Sequence, residues 1–484
     1  MLTRLRVKGF KNLRDVDIRF GHFTCIAGAN GVGKSNLFDA IILLADLASM
    51  PIIKAFSKAR GANGRTADFA SLFFQEPGKD LGTIEFVAEM LIPRKVVDDF
   101  DREIRPTATL VEYTLLLRLN VADPTWASSD PIHIVKEELR AKSSSAADKI
   151  LEFPGGLDLA RNKQFVFGPG ARTTPFIQTV PGGSEPVIKL FGEKGLDGAK
   201  NRGGRALEVR ASKSPQTVLS GVNLISHPTA LAVRREMQSW RLLQLEPTAL
   251  RSPDQFSDEQ RISAIGEHLP NALFRLGNYS EIANRLSDLV PGIRSLEVLQ
   301  DETRQQRTLS VTMSDQRSYS ASSLSDGTLR FLALAVLSND PESTGLVCME
   351  EPENGIHPLR IPEMLRLVRE LSDADLSPDD FLDRAGLRQV IVNTHSPLIV
   401  AELPDGELLM AETIRYRKVS FVNFKPFRGT WRGTTSGSTE TGTITRGELY
   451  SYLSGQNSRV RQDARKLVRD HLPSGPDTPD MFQS

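Results

Sequence analysis

Gly28-Ala29-Asn30-Gly31-Val32-Gly33-Lys34-Ser35 fills every fixed position of the phosphate-binding pattern G-x-x-x-x-G-K-[ST] in this 484-residue chain. Its glycines allow backbone N–H groups to face phosphate oxygens, its lysine reaches the β- and γ-phosphates, and its hydroxyl ligates Mg²⁺. The apolar run 23–27 predicts a buried strand before the loop, and residues 36–44 predict a helix after it. The sequence therefore predicts a nucleoside triphosphate site formed by Gly28, Asn30, Gly31, Gly33, Lys34, Ser35 and Asn36.

A second short apolar run, residues 346–349, ends in two carboxylates, Glu350 and Glu351. A run of this length predicts a central parallel strand, and ligands of α/β folds bind at the carboxyl ends of such strands. Glu350 is expected to support Mg²⁺ together with Ser35, and Glu351 to polarise an attacking water. Because two adjacent ionised carboxylates repel each other, a cation is expected beside them.

Two further segments place polar groups at the ends of predicted elements. Residues 389–396 predict a strand that leads to His395, which either donates to a γ-phosphate oxygen or simply occupies a strand-end loop. Residues 324–328 precede an almost wholly apolar helix at 329–337. Ser325 or Asp326 there can serve as an N-cap, and a hydroxyl with free N–H groups at a helix start can also bind an anion.

Composition sets the general class of the protein. Lys+Arg and Asp+Glu are equal at 60 each and 39% of residues are hydrophobic, which is ordinary for a soluble globular protein and gives no chain-wide bias towards nucleic acid. No apolar run reaches about 18 residues, so no transmembrane helix or membrane partner is expected. No signal peptide is evident, and Cys25 and Cys348 are expected to be buried as small hydrophobic side chains in a cytoplasmic protein.

The length predicts two to three domains, and the interval between Ser35 and Glu350 is too long for a nucleotide core without an insertion. Residues 154–213 are rich in Gly and Pro and are expected to be irregular. The predicted segments are an N-terminal ATPase lobe (1–119), an insertion domain (120–290), a C-terminal ATPase lobe (291–425) and a basic tail (426–484).

The order of these motifs resembles ABC-type ATPases of the RecF and SMC branch. The nearest likeness is to AAA-type ATPases without a coiled coil, related to OLD nucleases and bacterial defence ATPases. The motifs that carry the resemblance are the P-loop at 28–35, Leu-Ser-Asp-Gly-Thr at 324–328, Glu-Glu-Pro-Glu-Asn-Gly-Ile-His-Pro at 350–358 and Asn-Thr-His-Ser-Pro at 393–397. It covers residues 1–119 and 291–414 well, and the insertion only faintly, through 240–243 and 250–253.

The resemblance implies an α/β fold of the P-loop NTPase class, of ABC/RecF-like type, with a mixed-sheet core, an antiparallel β lobe and a large α/β insertion. It also implies an ATP sandwich in a homodimer or higher oligomer. Lys34 and Ser35 of one subunit would hold ATP and Mg²⁺, and Ser325 and Gly327 of a second subunit would close over the γ-phosphate.

The same resemblance assigns catalytic roles to Lys34, to Glu351 as general base and to His395 as the switch histidine. Two positions depart from the family pattern: Glu350 replaces the usual metal-binding aspartate, and Asp326 replaces the first glycine of the signature motif. Gln75 is either the Q-loop glutamine that contacts the metal or an exposed loop residue.

The chain lacks the sustained heptads of an SMC arm, and the residues after His395 hold no Asp-x-Asp pair that follows a strand. A TOPRIM nuclease in the same chain is therefore not expected. Residues 424–432 interleave aromatic and basic groups as nucleic-acid surfaces do, although a solvated or partner-facing basic face gives the same pattern. Loop 194–213 is a second basic candidate, or a flexible surface loop. The basic residues of the tail are Arg415, Arg417, Lys418, Lys425, Arg428, Arg432, Arg446, Arg459, Arg461, Arg465, Lys466 and Arg469.

Three functions remain open from the sequence. The favoured one is an ATPase that dimerises around ATP, binds DNA through the tail at 415–469, and licenses a separately encoded nuclease or toxin in anti-phage defence. The second is a RecF-like DNA-repair ATPase. The third is an ATP-driven scaffold that restrains a partner protein without touching DNA.

Overall fold

A six-stranded sheet lies at the centre of the computed structural model. In spatial order its strands are β12 (Arg241–Leu243), β17 (Gly345–Glu350), β18 (Arg388–Thr394), β3 (Phe23–Ala27), β19 (Leu408–Tyr416) and β20 (Val419–Pro426). The first five strands are parallel and β20 returns antiparallel, so the predicted mixed-sheet core is confirmed. The described residues are 1–61, 66–76, 82–120, 131–162, 166, 168, 174–182, 185–193, 207–223, 226–372, 387–416, 419–434 and 442–454.

Helices connect and cover the sheets. In chain order they are α1 (Lys34–Leu47), α2 (Ile52–Lys58), α3 (Ala147–Ile150), α4 (Gly156–Arg161), α5 (Pro228–Gln238), α6 (Pro247–Leu250), α7 (Leu269–Leu276), α8 (Tyr279–Leu289), α9 (Asp326–Asn339), α10 (Ile361–Glu370), α11 (Pro397–Glu402), α12 (Trp431–Thr434) and α13 (Arg446–Ser454). Within the described part of the chain, no helix is long and apolar enough to cross a membrane.

The central strands are buried on both faces. Every residue of β3 and β18 is buried, and in β17 only Glu350 is partly exposed. Successive side chains of a strand point to opposite faces, so each strand supplies two cores. One core joins α1 and α5 with Ile26, Leu346, Cys348 and Ile391. The other joins α9 and α10 with Cys25, Val347, Met349, Val390 and Val392. Cys25 and Cys348 are both free and buried, as predicted.

An eight-stranded antiparallel sheet forms the predicted β lobe. In spatial order its strands are β11 (Leu207–Arg210), β10 (Val187–Leu190), β9 (Ile177–Val180), β8 (Ile132–Ala141), β7 (Leu110–Leu119), β4 (Thr83–Leu91), β1 (Leu2–Phe10) and β2 (Leu13–Arg19). A short hairpin, β5 (Val96–Val97) with β6 (Glu103–Ile104), adjoins it in sequence. Half of this sheet, β8 to β11, comes from the segment predicted as an insertion.

A smaller sheet completes the molecule. Its strands are β13 (Asp254–Gln255), β15 (Gln306–Met313), β14 (Ile293–Asp301) and β16 (Ser318–Ser320). Helices α7 and α8 pack on this sheet and on α9. The predicted boundaries after residues 119 and 290 therefore do not coincide with the edges of the sheets. Residues 120–290 contribute to all three sheets, because strand pairing joins parts of the chain that are distant in sequence.

A buried carboxylate anchors the β lobe. Glu137 on β8 is fully buried and accepts hydrogen bonds from the N–H groups of Val218 (2.8 Å) and Leu219 (2.9 Å) and from the Tyr113 hydroxyl (3.1 Å). Burial raises the pKa of Glu137 from an ordinary value of 4.5 to about 7, although these donors favour the charged form. The carboxylate thus ties the loop before α5 to the sheet at an electrostatic cost.

Stability should depend on the charge of Glu137. The folded protein binds more protons than the unfolded chain between the two pKa values, so the free energy of unfolding falls as pH rises from 4.5 through about 7. The loss should amount to about 3 kcal/mol, and Glu137→Gln should not show it. Urea unfolding at about pH 5 and about pH 8 measures the difference, with the exposed Glu297→Gln on β14 as control. An identical pH profile for Glu137→Gln and the wild type would contradict this role.

Candidate active site

The parallel strands of the central sheet end level with one another. Leu243 of β12 pairs with Met349 of β17, Glu350 pairs with Asn393 of β18, and Thr394 pairs with Ala27 of β3. The segments that follow these four strands therefore meet at one edge of the sheet. In α/β sheets this is the edge at which ligands bind.

The P-loop connects β3 to α1 and is supported by Asn12, in the turn between β1 and β2. Gly33 has a φ of +108°, and a Cβ atom there would fall 2.1 Å from the Asn12 side-chain nitrogen. Asn12 Nδ2 donates to the Val32 carbonyl (2.9 Å), and its Oδ1 accepts from Asn36 (2.8 Å). Asn12 was not singled out from the sequence, because nothing local marks a turn residue that supports another loop.

Lys34 is folded back onto the loop that carries it. Its Nζ donates to the carbonyls of Gly28 and, at 2.9 Å, of Ala29. Burial lowers the pKa of Lys34, while the charges of Glu351 and Glu353 oppose that shift. These carbonyls hold the ammonium group at the mouth of the loop, where phosphate oxygens can replace them. The N–H of Gly28 donates to the Thr394 carbonyl at the strand end.

The Glu350 carboxylate accepts hydrogen bonds from three separate parts of the chain. Both oxygens contact the Arg60 guanidinium, at 2.9 and 3.1 Å, and Oε2 also accepts from Gln244 Nε2 (3.1 Å). Burial opposes ionisation, but hydrogen bonds from Arg60 and Ser35 outweigh it, so the pKa of Glu350 lies below its ordinary value. The Glu350 carboxylate is thus ionised, lies beside the Ser35 hydroxyl and already contacts one cation, the Arg60 guanidinium. The oxygens of Glu350 and Ser35 are therefore ligands that fit Mg²⁺. A metal held by Ser35 and Glu350 would neutralise charge on the phosphates.

Gln244 and Gln75 occupy different surroundings. Gln244 follows β12 directly, contacts Glu350 and lines the cleft beside the P-loop. Gln75, the predicted metal-contacting glutamine, is exposed, donates to the Ala70 carbonyl (3.3 Å), and is not a cleft-lining residue. Gln244, and not Gln75, therefore lies beside the carboxylate that is expected to support Mg²⁺. The sequence feature that could have identified Gln244 as a site residue is its position directly after the apolar pair Leu242-Leu243.

Glu351 stands beside His395. Glu351 has a φ of +44°, and its N–H donates to the backbone carbonyl (3.0 Å) and the side-chain oxygen (3.1 Å) of Asn393. Its Oε1 lies 2.9 Å from His395 Nδ1, and its Oε2 accepts from Asn354 (2.8 Å). A left-handed glutamate is strained, and these contacts hold it in place. The carboxylate is therefore held in one orientation among the residues that line the cleft, which is compatible with the expected role of a general base.

A cleft of about 720 Å³ lies in front of these groups. It is lined by Asn30, Gly31, Val32, Gly33, Lys34, Ser35, Asn36, Leu243, Gln244, Leu245, Glu246, Arg330, Leu334, Met349, Glu350, Glu351, Pro352, Asn354 and Asn393. The predicted phosphate-binding residues other than Gly28 thus share one cleft with both carboxylates. Its volume suits a nucleotide-sized ligand.

Ser325 and Gly327 lie at the start of α9 and are not among the residues that line this cleft. Ser325 is exposed and caps the helix by accepting a hydrogen bond from the Thr328 N–H (3.2 Å). Asp326, which departs from the signature pattern, pairs with Arg251 at 2.5 Å, and Arg251 also donates to the Leu324 carbonyl. The added carboxylate is thus offset by a cation from the segment at 250–253.

Part of the aromatic and basic stretch at 424–432 is internal, so Phe424, Phe427 and Arg432 do not belong to the nucleic-acid surface that the interleaved pattern allowed. Phe424 is 5% exposed, because alternate residues of β20 point into the core, and Phe427, just beyond the strand, is 1% exposed in the second core. Arg432 is buried and donates to Thr24 Oγ1 and to backbone carbonyls. Lys425 pairs with Glu412 (2.7 Å) and Arg446 pairs with Asp405.

Two basic side chains of the tail, Arg415 and Arg428, are exposed. The predicted basic residues that fall outside the described part of the chain are Arg417, Lys418, Arg459, Arg461, Arg465, Lys466 and Arg469. The same holds for Lys194, Lys200, Arg202 and Arg205 of the loop at 194–213.

The P-loop, the paired carboxylates at the end of β17 and the mixed and antiparallel sheets define an ABC-type P-loop ATPase. Two family models match the chain. The "AAA domain" family covers residues 4–79, and the family "AAA domain, putative AbiEii toxin, Type IV TA system" covers residues 197–401. The chain therefore carries AAA-type ATPase domain sequences in two segments, one with the P-loop and one with the paired carboxylates, which supports ATP hydrolysis.

Similar proteins include an OLD nuclease from Thermus scotoductus, 42% identical over 57 residues. That match spans 12% of this chain and 10% of the nuclease. A Pyrococcus furiosus Smc head domain bound to the C-terminal domain of ScpA gives a TM-score of 0.42 at 13% identity, covering 88% of this chain and 96% of that one. The Thermotoga maritima SMC head domain gives 0.37 at 14% identity, covering 87% and 97%.

Nucleotide binding should depend on the contact between Gly33 and Asn12. Gly33→Ala should weaken ATP binding at least tenfold, because the left-handed backbone costs an alanine roughly 1–2 kcal/mol and its Cβ would also collide with Asn12. Gly31→Ala is the matched control, since Gly31 has a φ of +77° but nothing within 4 Å of a Cβ. Adding Asn12→Ala to Gly33→Ala should recover part of the loss. Equal affinities for the two glycine variants, measured with a fluorescent ATP analogue, would contradict this account.

Hydrolysis should depend on the Glu351 carboxylate. Glu351→Gln should keep ATP binding and lower kcat by about 10²–10⁴-fold, because an amide cannot take the proton of an attacking water. Phosphate release measures the turnover. Glu302→Gln, which changes an exposed carboxylate between β14 and β15, should behave as the wild type. Near-normal turnover of Glu351→Gln would remove Glu351 from the role of general base.

Proposed function

We propose that the chain dimerises around ATP and uses this switch to regulate a separately encoded effector protein in bacterial anti-phage defence. The observation that carries the proposal is the position of Ser325. It is exposed at the start of α9, where its hydroxyl caps the helix through Thr328, and it does not line the cleft of its own chain, so this helix start is accessible to another copy.

The start of α9 has the chemistry to receive a γ-phosphate. The first N–H groups of a helix have no partner within the helix, and the helix dipole favours an anion there. Helix α9 has 14 residues and opens on Ser325, Asp326 and Gly327. The pairing of Asp326 with Arg251 offsets the one nearby carboxylate. A second copy that presents this helix start to the P-loop cleft would complete the site, which supports a homodimer as the functional unit.

The effector and the defence setting rest on the comparisons. One matching family carries a toxin and a type IV toxin–antitoxin system in its description, and one relative is a nuclease. We infer that this chain supplies the ATP-driven switch and that a nuclease or toxin subunit supplies the destructive chemistry, in the cytoplasm. Co-expression with the protein encoded next to it, followed by purification with and without ATP, tests for that subunit.

A scaffold that does not touch DNA is the second candidate. It is favoured by the internal position of the 424–432 stretch, which removes Phe424, Phe427 and Arg432 from any nucleic-acid surface. Stimulation of ATP hydrolysis by duplex DNA, falling steeply as salt rises, would favour the DNA-linked form of the switch or a RecF-like repair ATPase. Hydrolysis that is indifferent to DNA, with retained phage protection, would favour the scaffold.

Dimerisation should respond to charge at Ser325. Ser325→Asp keeps a good N-cap but adds a negative charge where the γ-phosphate would arrive, so it should abolish the ATP-dependent dimer. Ser325→Asn is the matched control, because it also caps the helix and is neutral. In the Glu351→Gln background, light scattering with and without ATP measures the dimer. Both variants should bind ATP as monomers. The proposed ATP sandwich would be refuted if Ser325→Asp formed an ATP-dependent dimer as stable as that of Ser325→Asn.

A further inference from the structure

Arg60 lies two residues beyond α2 and reaches across the P-loop to β17. Its Nη1 and Nη2 contact Glu350 Oε2 (3.1 Å) and Oε1 (2.9 Å) as a two-point contact, and Nη2 also donates to the Ser35 carbonyl (3.2 Å). A two-point guanidinium–carboxylate contact is among the stronger polar interactions in proteins. Arg60 is thus the cation beside the carboxylate that is expected to support Mg²⁺.

A second carboxylate, that of Asp39, contacts Arg60 at Nε. Arg60 Nε lies 2.5 Å from Asp39 Oδ1, and Lys11 Nζ lies 2.5 Å from Asp39 Oδ2. Asp39 is only 8% exposed and sits on α1, one turn after the P-loop. The guanidinium is therefore anchored at Nε, and its two terminal nitrogens can leave Glu350 without the loss of that anchor.

The contacts of Glu350 cannot all persist with a metal present. Its two oxygens receive donors from Arg60 and Gln244, and the Ser35 hydroxyl also bonds to it. A divalent cation held by Ser35 and Glu350 would stand next to the positive guanidinium, and like charges at that separation repel. Either the metal or the two-point contact of Arg60 can occupy the carboxylate at a given time.

We propose that Arg60 is a positioning residue that occupies the cation contacts of Glu350 in the nucleotide-free protein and leaves them when Mg²⁺ and ATP bind. In the empty pocket it neutralises Glu350, so that a triphosphate meets no bare carboxylate pair. When Mg²⁺ and ATP are bound, the metal would neutralise Glu350 in place of Arg60. The inference rests on the ATPase site and is independent of the proposed dimer and effector.

The two halves of the proposal predict changes of opposite sign. Arg60→Ala should lower the Mg²⁺ concentration at half-maximal ATP binding by roughly tenfold, because the metal no longer competes with a charge-assisted contact. With EDTA present, the same variant should bind ATP several-fold more weakly than the wild type, because Glu350 is left unneutralised. In both measurements Arg60→Lys should lie between Arg60→Ala and the wild type, since it keeps the charge but not the planar two-point contact.

The experiment is a titration of a fluorescent ATP analogue at fixed protein concentration and varied Mg²⁺, repeated in EDTA. Lys58→Ala is the matched control, because it removes a cation two residues away whose partner is Asp46 (2.9 Å). Performing the titration in the Ser325→Asp background separates binding from dimerisation. Arg60→Gln gives a second neutral variant if Arg60→Ala has a lowered melting temperature. A Mg²⁺ midpoint that rises or stays unchanged, or metal-free ATP affinity that stays at the wild-type value, overturns the proposal.

Discussion

The site depends on one constraint, the register in which the parallel strands of the central sheet pair. The pairs Leu243–Met349, Glu350–Asn393 and Thr394–Ala27 bring four strand ends to one level. Because side chains alternate between the faces of a strand, a slip of β17 by one residue would move Glu350 away from Asn393 and would send each apolar side chain of β17 into the opposite core. The two apolar cores on opposite faces of the sheet oppose such a slip, so the packing of the fold also sets the positions of the reactive groups.

Around that edge the polar side chains have partners within the protein before any ligand binds. Lys34 rests on backbone carbonyls, Glu350 on Arg60, and Glu351 on His395. Each of these contacts is made to a group that a nucleotide, a metal or a water molecule would otherwise engage. Binding of a nucleotide would replace some of these contacts, so its free energy would be a difference between two sets of polar contacts.

Local patterns predicted those parts of the site in which one short stretch holds all the required information. The P-loop, Glu350 and Glu351 at a strand end, and the cap of α9 at Ser325 are of this kind. Gln244 escaped prediction because β12 has only three residues, and its place beside β17 is set by strand pairing across about a hundred residues.

The same reason explains the differences in the fold. Strands β9, β10 and β11 have four residues each and lie in a stretch rich in Gly and Pro, where local signals favour irregular structure. Strand β9 pairs with the edge of β8, and β10 and β11 then add to the sheet in turn. At 424–432, the interleaved aromatic and basic residues did not indicate burial, since the burial of Phe424 on β20 depends on neighbours that a sequence pattern does not reveal.

The turn at Asn12 gives the molecule a mechanical property. Its side chain holds the P-loop through Val32 and Asn36, while its backbone carbonyl accepts from the Val422 N–H on β20. One residue thus joins the antiparallel sheet, the loop and the edge of the central sheet. A movement of the antiparallel sheet relative to the central sheet would therefore displace the side chain that supports the P-loop. If a protein that bound this sheet moved the turn at Asn12, it would change the affinity for ATP, and ATP would change the affinity for that protein by the same factor.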